Sequence, residues 1–163
     1  MKPTTSSLTT PLGRGRAGFT LLEFLIVLTV AAIIASVAIP TWQDAAIRAR
    51  VAEGLALAEP AKAIVSANAA RGAPLSEGFR FSPAGTPVSS MTISADGAVT
   101  VNYGANAGNG SVVLNPSAGG ERLVPGRRTT GPVTWRCNAA ASRPEAGAQV
   151  GTLAPNHAPA ECR

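Results

Sequence analysis

Glu23 is the one charged residue between Phe19 and Ile39, a run of 21 residues reading FTLLEFLIVLTVAAIIASVAI. A carboxylate can move a proton, hold a metal or pair with a cation, and oily surroundings favour the last of these. An ionised acid inside a bilayer costs roughly 2.5 to 3.5 kcal/mol, so Glu23 calls for an opposite charge. Cys137 and Cys162, 25 positions apart, offer a second chemistry. In an exported chain an even pair reads as a disulfide, and closing that loop would add roughly 3 to 3.5 kcal/mol of stability. In the cytosol the same residues would be two free thiols. The chain has a single histidine, His157, and no CxxC or HxxxH spacing, so no metal site is expected. No nucleophile neighbours His157, no glycine-rich phosphate loop follows a strand, and the acids are scattered; the residues give no catalytic set and call for no cofactor.

The elements that must position Glu23 begin with the apolar run itself. At about 1.5 Å of rise per residue a helix of that length matches the roughly 30 Å hydrocarbon core of a bilayer. The net charge of +5 over 163 residues is mostly a property of the leader: Lys2, Arg14 and Arg16 precede any acid. From Phe19 onward eleven bases face nine acids, a balance of +2, which weakens a reading as a general nucleic-acid binder. Gly 17, Pro 13 and 4% aromatics indicate a loop-rich body with one small core.

Three readings of the N-terminus compete. A secretory signal peptide would be cut after Ser36-Val37-Ala38, but the apolar run is longer than the usual 7 to 15 residues. A plain membrane anchor would keep Arg14 and Arg16 inside, although Arg48 and Arg50 on the far side reduce that bias. Neither employs Glu23. The third does: RAGFTLLEFLIVLTVAAIIASVAIP resembles the N-terminus of a type IV pilin precursor.

The resemblance implies a type IVa major pilin, a structural protein rather than an enzyme. It implies that a prepilin peptidase cuts between Gly18 and Phe19 and that the new N-terminal phenylalanine is methylated. Glu23 would then neutralise the fresh ammonium of a neighbouring copy as that copy docks into a helical filament. Pro40 and Pro60 fall where several members of the family place helix-bending prolines. Two features depart from the family: the leader of 18 residues is long, and Ala32 replaces a frequent helix-interior glycine. The implied life history runs from an inner-membrane precursor, through a pilus assembly machinery, to an extracellular fibre used for adhesion, twitching motility and DNA uptake.

Beyond Pro40, Ile47, Val51, Leu55, Ala58, Ala61 and Val65 recur at steps of three and four and draw one stripe down a second helical stretch. It is expected to continue the first helix and to end at Arg71-Gly72, where glycine takes the left-handed cap. Gly54 and Pro60 weaken its interior, through sheet packing that overrides propensity or through a bend. In the apolar half, Ala31 with Ala35 and Ala32 with Ser36 are small pairs four apart that let helices approach closely.

Residues 73 to 87 read as a connecting loop. SSMTIS and AVTVNY, joined by a turn at Ala95-Asp96-Gly97, then form a hairpin burying Met91, Ile93, Val99 and Val101. SVVLNP and PVTWRCN complete a four-stranded antiparallel meander. The expected class is α+β: a long N-terminal helix, its hydrophobic half protruding and its amphipathic half packed on the sheet. Trp135 and Cys137 share a strand face, and they resemble the WxC of the last strand in type IV pilins. There a second cysteine closes an exposed loop, which here is Asn138 to Glu161, too polar to be held by packing alone.

The expected organisation is a leader over 1–18, a hydrophobic helix over 19–40, an amphipathic helix over 41–72, and a globular domain over 73–163 containing the disulfide loop 137–162. The processing residues are Gly18 and Phe19, and the assembly residues Phe19, Glu23 and Pro40. A minor pilin or a type II secretion pseudopilin shares the same N-terminus, and a secreted binding domain is the reading from another class. Arg122, Arg127 and Arg128, with Arg136 and Arg143 further on, raise DNA contact. The triplet Asn109-Gly110-Ser111 has the form of a glycosylation sequon.

Overall fold

The computed structural model describes residues 18–163. Apart from Gly18, the expected leader lies outside the described residues. The chain divides into two units, one ending at Ala38 and one running Ile39–Arg163.

Helix α1 spans Leu21–Ala56 and α2 spans Glu59–Arg71. The interruption has a specific cause. Pro60 has no N–H to donate to the carbonyl of Ala56, and the Ala58 N–H donates instead to Leu55 at 3.0 Å, three residues back. Pro60 thereby falls in the first turn of α2, where a missing donor costs nothing. As expected, Gly72 closes α2 in the left-handed conformation (φ 72°), its N–H turned to Ala69.

In the second unit the stripe is buried as its spacing requires. Val51, Ala58, Ala61 and Val65 have no exposed surface, and Ile47 and Leu55 pack at the margin. Gly54 is explained by packing. Tyr103 donates its hydroxyl to the Val51 carbonyl at 2.9 Å, and its ring lies where a side chain at 54 would be. An added Cβ would stand 2.4 Å from Tyr103 Cε1 and 2.9 Å from Val88 Cγ2. Gly54→Ala is therefore expected to destabilise by roughly 1 to 3 kcal/mol through overpacking, against the roughly 1 kcal/mol that helix propensity alone would return. Urea unfolding of the detergent-solubilised chain reads the sign directly.

The sheet is antiparallel: β1 Val88–Ile93, β2 Val99–Tyr103, β3 Ser111–Ala118, β4 Glu121–Arg122 and β5 Val133–Asn138. Met91 pairs with Val101 and Ile93 with Val99, so the expected hairpin face is realised. Four of these strands are the anticipated ones. The fifth, β4, lies in what reads as loop. Gly119 and Gly120, both at positive φ, fold two residues back onto Ser117 and Ala118, whose other edge carries Thr134 and Val133 of β5. The spatial order β1-β2-β3-β5 is a meander of the four long strands, with β4 a stub on the β2 side of β3.

Cys137 and Cys162 are disulfide-bonded, Cα atoms 4.5 Å apart. The loop they close is held by packing as well as by the covalent bond. Leu153 is fully buried, and its N–H donates to the Ser111 carbonyl at 2.9 Å. The buried Asn115 amide donates to Asn138 Oδ1 at 2.9 Å and to the Gln149 carbonyl at 2.8 Å, and its own oxygen accepts the Gln149 N–H at 3.0 Å. A Cβ at 151 would overlap the Ser111 carbonyl, so only glycine lets the loop run this close to β3.

Asp96 ties three segments together. It accepts from the Ser94 hydroxyl and from the Arg122 guanidinium, which also donates to the Gly147 carbonyl in the disulfide loop. Burial opposes ionisation of Asp96, but these donors outweigh it and hold the carboxyl below its usual 3.8. The folded chain thus keeps this proton off to lower pH than the unfolded chain does. The stability it contributes is complete above the unfolded value and disappears as pH falls through the folded one. Asp96→Asn is expected to lower the melting temperature at neutral pH and to flatten its fall on acidification, as read by thermal melts from neutral to strongly acidic pH.

Candidate assembly site

Ahead of α1, Gly18 and Phe19 lie outside any helix or strand and are exposed, and an added Cβ on Gly18 would touch nothing within 4 Å. Thr20 caps the helix: its hydroxyl accepts the Glu23 N–H at 3.2 Å. Thr20-Leu21-Leu22-Glu23 thus has the threonine-to-glutamate spacing of a capping box, a local signal that the sequence reading passed over. The acid falls in the first turn, facing the positive end of the helix dipole. That interaction is worth roughly 0.3 to 1 kcal/mol, well short of the 2.5 to 3.5 kcal/mol or so that an apolar medium would charge. An opposite charge is still called for.

The surroundings of Glu23 are as oily as its sequence indicates. Leu21, Leu22, Phe24, Leu25, Ile26, Val27, Ile33, Ile34 and Val37 are all exposed. No part of the most apolar stretch is buried within the chain, and the helix is long and apolar enough to cross a membrane. Its hydroxyls make no demand on an outside partner. Thr29 donates to the Ile26 carbonyl at 2.8 Å and Ser36 to the Ile33 carbonyl at 2.7 Å. A helix apolar on every side needs lipid or other helices around it. Pro40 is within α1, and as a proline it leaves the Ser36 carbonyl without its usual donor.

The five arginines considered for DNA separate into two places. Arg122, Arg127 and Arg128 line an open hollow of about 340 Å³ beside β4. Arg136 and Arg143 line a different groove of about 420 Å³, floored by Leu55, Leu114 and Trp135, with Lys62 over the Trp135 ring at 5.8 Å. Several are already engaged: Arg122 as above, Arg136 with Glu145 at 3.1 Å, and Arg128 with the Arg71 carbonyl at 3.4 Å. His157 lies 3.3 Å from Asp44, and no group of three metal-ligating side chains lies together among the described residues.

An exposed apolar helix with one acid in its first turn, joined in sequence to a helix-backed antiparallel sheet and a disulfide loop, defines a filament-type subunit architecture. Residues 47–163 match the family model for pilin, a bacterial filament protein, and residues 13–39 match the prokaryotic N-terminal methylation motif. The chain is 32% identical over 155 residues to the type IV major pilin protein PilE1 of Neisseria gonorrhoeae, covering 90% of this chain and 86% of that one. It is 39% identical over 61 residues to a fimbrial protein of Moraxella nonliquefaciens, 37% of this chain and 40% of that one. Over another 61-residue match it is 41% identical to the type IV major fimbrial protein FimA of Dichelobacter nodosus, 37% and 38% of the two chains. No solved structure matches. The chain belongs to the pilin family, and as a type IV pilin it is a structural subunit of a pilus filament.

Proposed function

We propose that this chain is the precursor of a major type IVa pilin, cut between Gly18 and Phe19 by a prepilin peptidase, methylated at Phe19, and polymerised through its N-terminal helix. The observation that carries the reading is Glu23, an acid four residues past Phe19 in an apolar run, Phe19 to Ile39, whose large side chains are all exposed. Cleavage supplies the missing cation. The new ammonium at Phe19 of one copy pairs with Glu23 of the next, and the small pairs Ala31/Ala35 and Ala32/Ser36 let the helices close around them. Pro40 frees one carbonyl where the helix leaves the apolar run. Before assembly the span rests in the inner membrane with Arg14 and Arg16 on the cytoplasmic side; afterwards the machinery transfers it to an extracellular fibre.

The fibre would serve adhesion and twitching motility, with DNA uptake resting on Arg127 and Arg128. Alanine at both positions with DNA retention unchanged would remove that last role. A minor pilin remains the second reading, because the same N-terminal residues serve it equally. The deciding experiment is N-terminal sequencing of chain recovered from sheared surface fibres. The expected product begins at N-methylated Phe19 and is the dominant fibre protein, and Gly18→Glu is expected to leave full-length precursor and no fibres. A chain beginning near Ile39 would indicate a cleaved secretory signal and refute the reading.

A further inference from the structure

Trp42 is the anomaly of the second unit. Aromatics make up only 4% of the sequence, and the other tryptophan, Trp135, is packed against the core. Trp42 is 73% exposed, the most exposed large apolar side chain in that unit. It is no stray core residue, because it lies nine positions before the buried Val51, which at about 100° per residue puts it on the opposite helix face. It comes three residues after Ile39, where the apolar run ends, and two before Asp44, the first charge since Glu23.

We propose that Trp42 is the outer interfacial anchor of the membrane-embedded chain, its indole seated in the carbonyl and headgroup layer of the bilayer before assembly. Its position is about 4.5 Å of helix rise beyond Ile39, the depth at which tryptophan, apolar in body with one N–H to satisfy, is enriched in membrane-spanning segments. A helix-to-helix contact is the weaker assignment, because close approach in this chain is served by alanine and serine pairs, which a bulky indole obstructs. Anchoring there fixes the span's vertical register, holding Asp44, Arg48 and Arg50 in water and Glu23 toward the cytoplasmic side. The inference rests on the membrane stage of the reading above.

The full-length chain carrying Trp135→Phe, which leaves Trp42 as sole tryptophan, is reconstituted in phosphatidylethanolamine/phosphatidylglycerol vesicles whose lipids bear quenchers at graded depths. Resistance to alkaline carbonate reports insertion separately. The expected result is a blue-shifted Trp42 emission quenched most by headgroup-proximal labels and least by chain-end labels. If Trp135→Phe misfolds, the difference between wild type and Trp42→Phe gives the same profile. An inserted chain whose Trp42 is quenched by aqueous iodide and by no lipid label overturns the proposal while leaving the membrane stage intact. Shielding that arises only in assembled fibres overturns it in favour of a second copy, and extraction by carbonate overturns both.

Discussion

Glu23→Gln is expected to yield cleaved chain and no fibres. The substitution keeps the size of the side chain and the backbone N–H that Thr20 accepts, so helix capping survives and only the charge is lost. On the proposed reading, an ammonium would remain at Phe19 of each incoming copy, buried among apolar helices without a counter-charge. Breaking a buried ion pair by removing one partner costs roughly 3 to 5 kcal/mol, and each 1.4 kcal/mol or so is tenfold in an equilibrium constant. Subunit addition should weaken by about two to three orders of magnitude, enough to abolish fibres by electron microscopy while immunoblots show processed chain. Thr20→Ala is the control for the structural role. Losing that cap costs about 1 kcal/mol, so fibres should be fewer but present. Equal losses from both variants would leave the charge of Glu23 with no role beyond the helix terminus.

The second large effect is expected at the C-terminal loop. Cys137→Ser with Cys162→Ser should lower unfolding free energy by roughly 3 to 3.5 kcal/mol, the chain-entropy value for a loop of this length. Leu153→Ala, which keeps the bond and empties a fully buried site, should cost a comparable 2 to 5 kcal/mol or so. Urea melts of the two variants separate covalent closure from packing. A loop held by the bond alone would make Leu153→Ala nearly silent. The hydrogen bonds from Leu153 to Ser111 and around Asn115 argue that it will not be.

What the sequence made legible was whatever depends on side-chain type at fixed spacing. The run from Phe19 to Ile39, the stripe from Ile47 to Val65, the facing Met91/Val101 and Ile93/Val99 pairs and the Gly72 cap are all of this kind. The missed features depend on partners distant in the chain. Gly54 read as a weak point because nothing local announces the Tyr103 ring that occupies its missing Cβ. Asn115, Asn138 and Gln149 are ordinary polar residues until folding brings them together. The packing of the disulfide loop was not legible in its polar composition because one leucine and one glycine, Leu153 and Gly151, decide its path. The arginines of one sequence neighbourhood parted because Asp96 and Glu145 claim Arg122 and Arg136. The Thr20–Glu23 box, by contrast, is a local signal written in four consecutive residues.

The proposed pairing of the Phe19 amine with Glu23 can be tested directly in assembled fibres. Copies labelled with ¹⁵N-phenylalanine are co-assembled with copies labelled with ¹³C-carboxyl glutamate, and solid-state NMR dipolar recoupling is read at the N-terminal amine resonance, which is resolved from backbone amides. An ion pair has nitrogen and oxygen within about 4 Å, so the account predicts strong dephasing of that amine by a carboxylate carbon of another copy, absent from fibres in which the second set of copies carries unlabelled glutamate. An amine that shows no intermolecular carboxylate contact in intact fibres would contradict it.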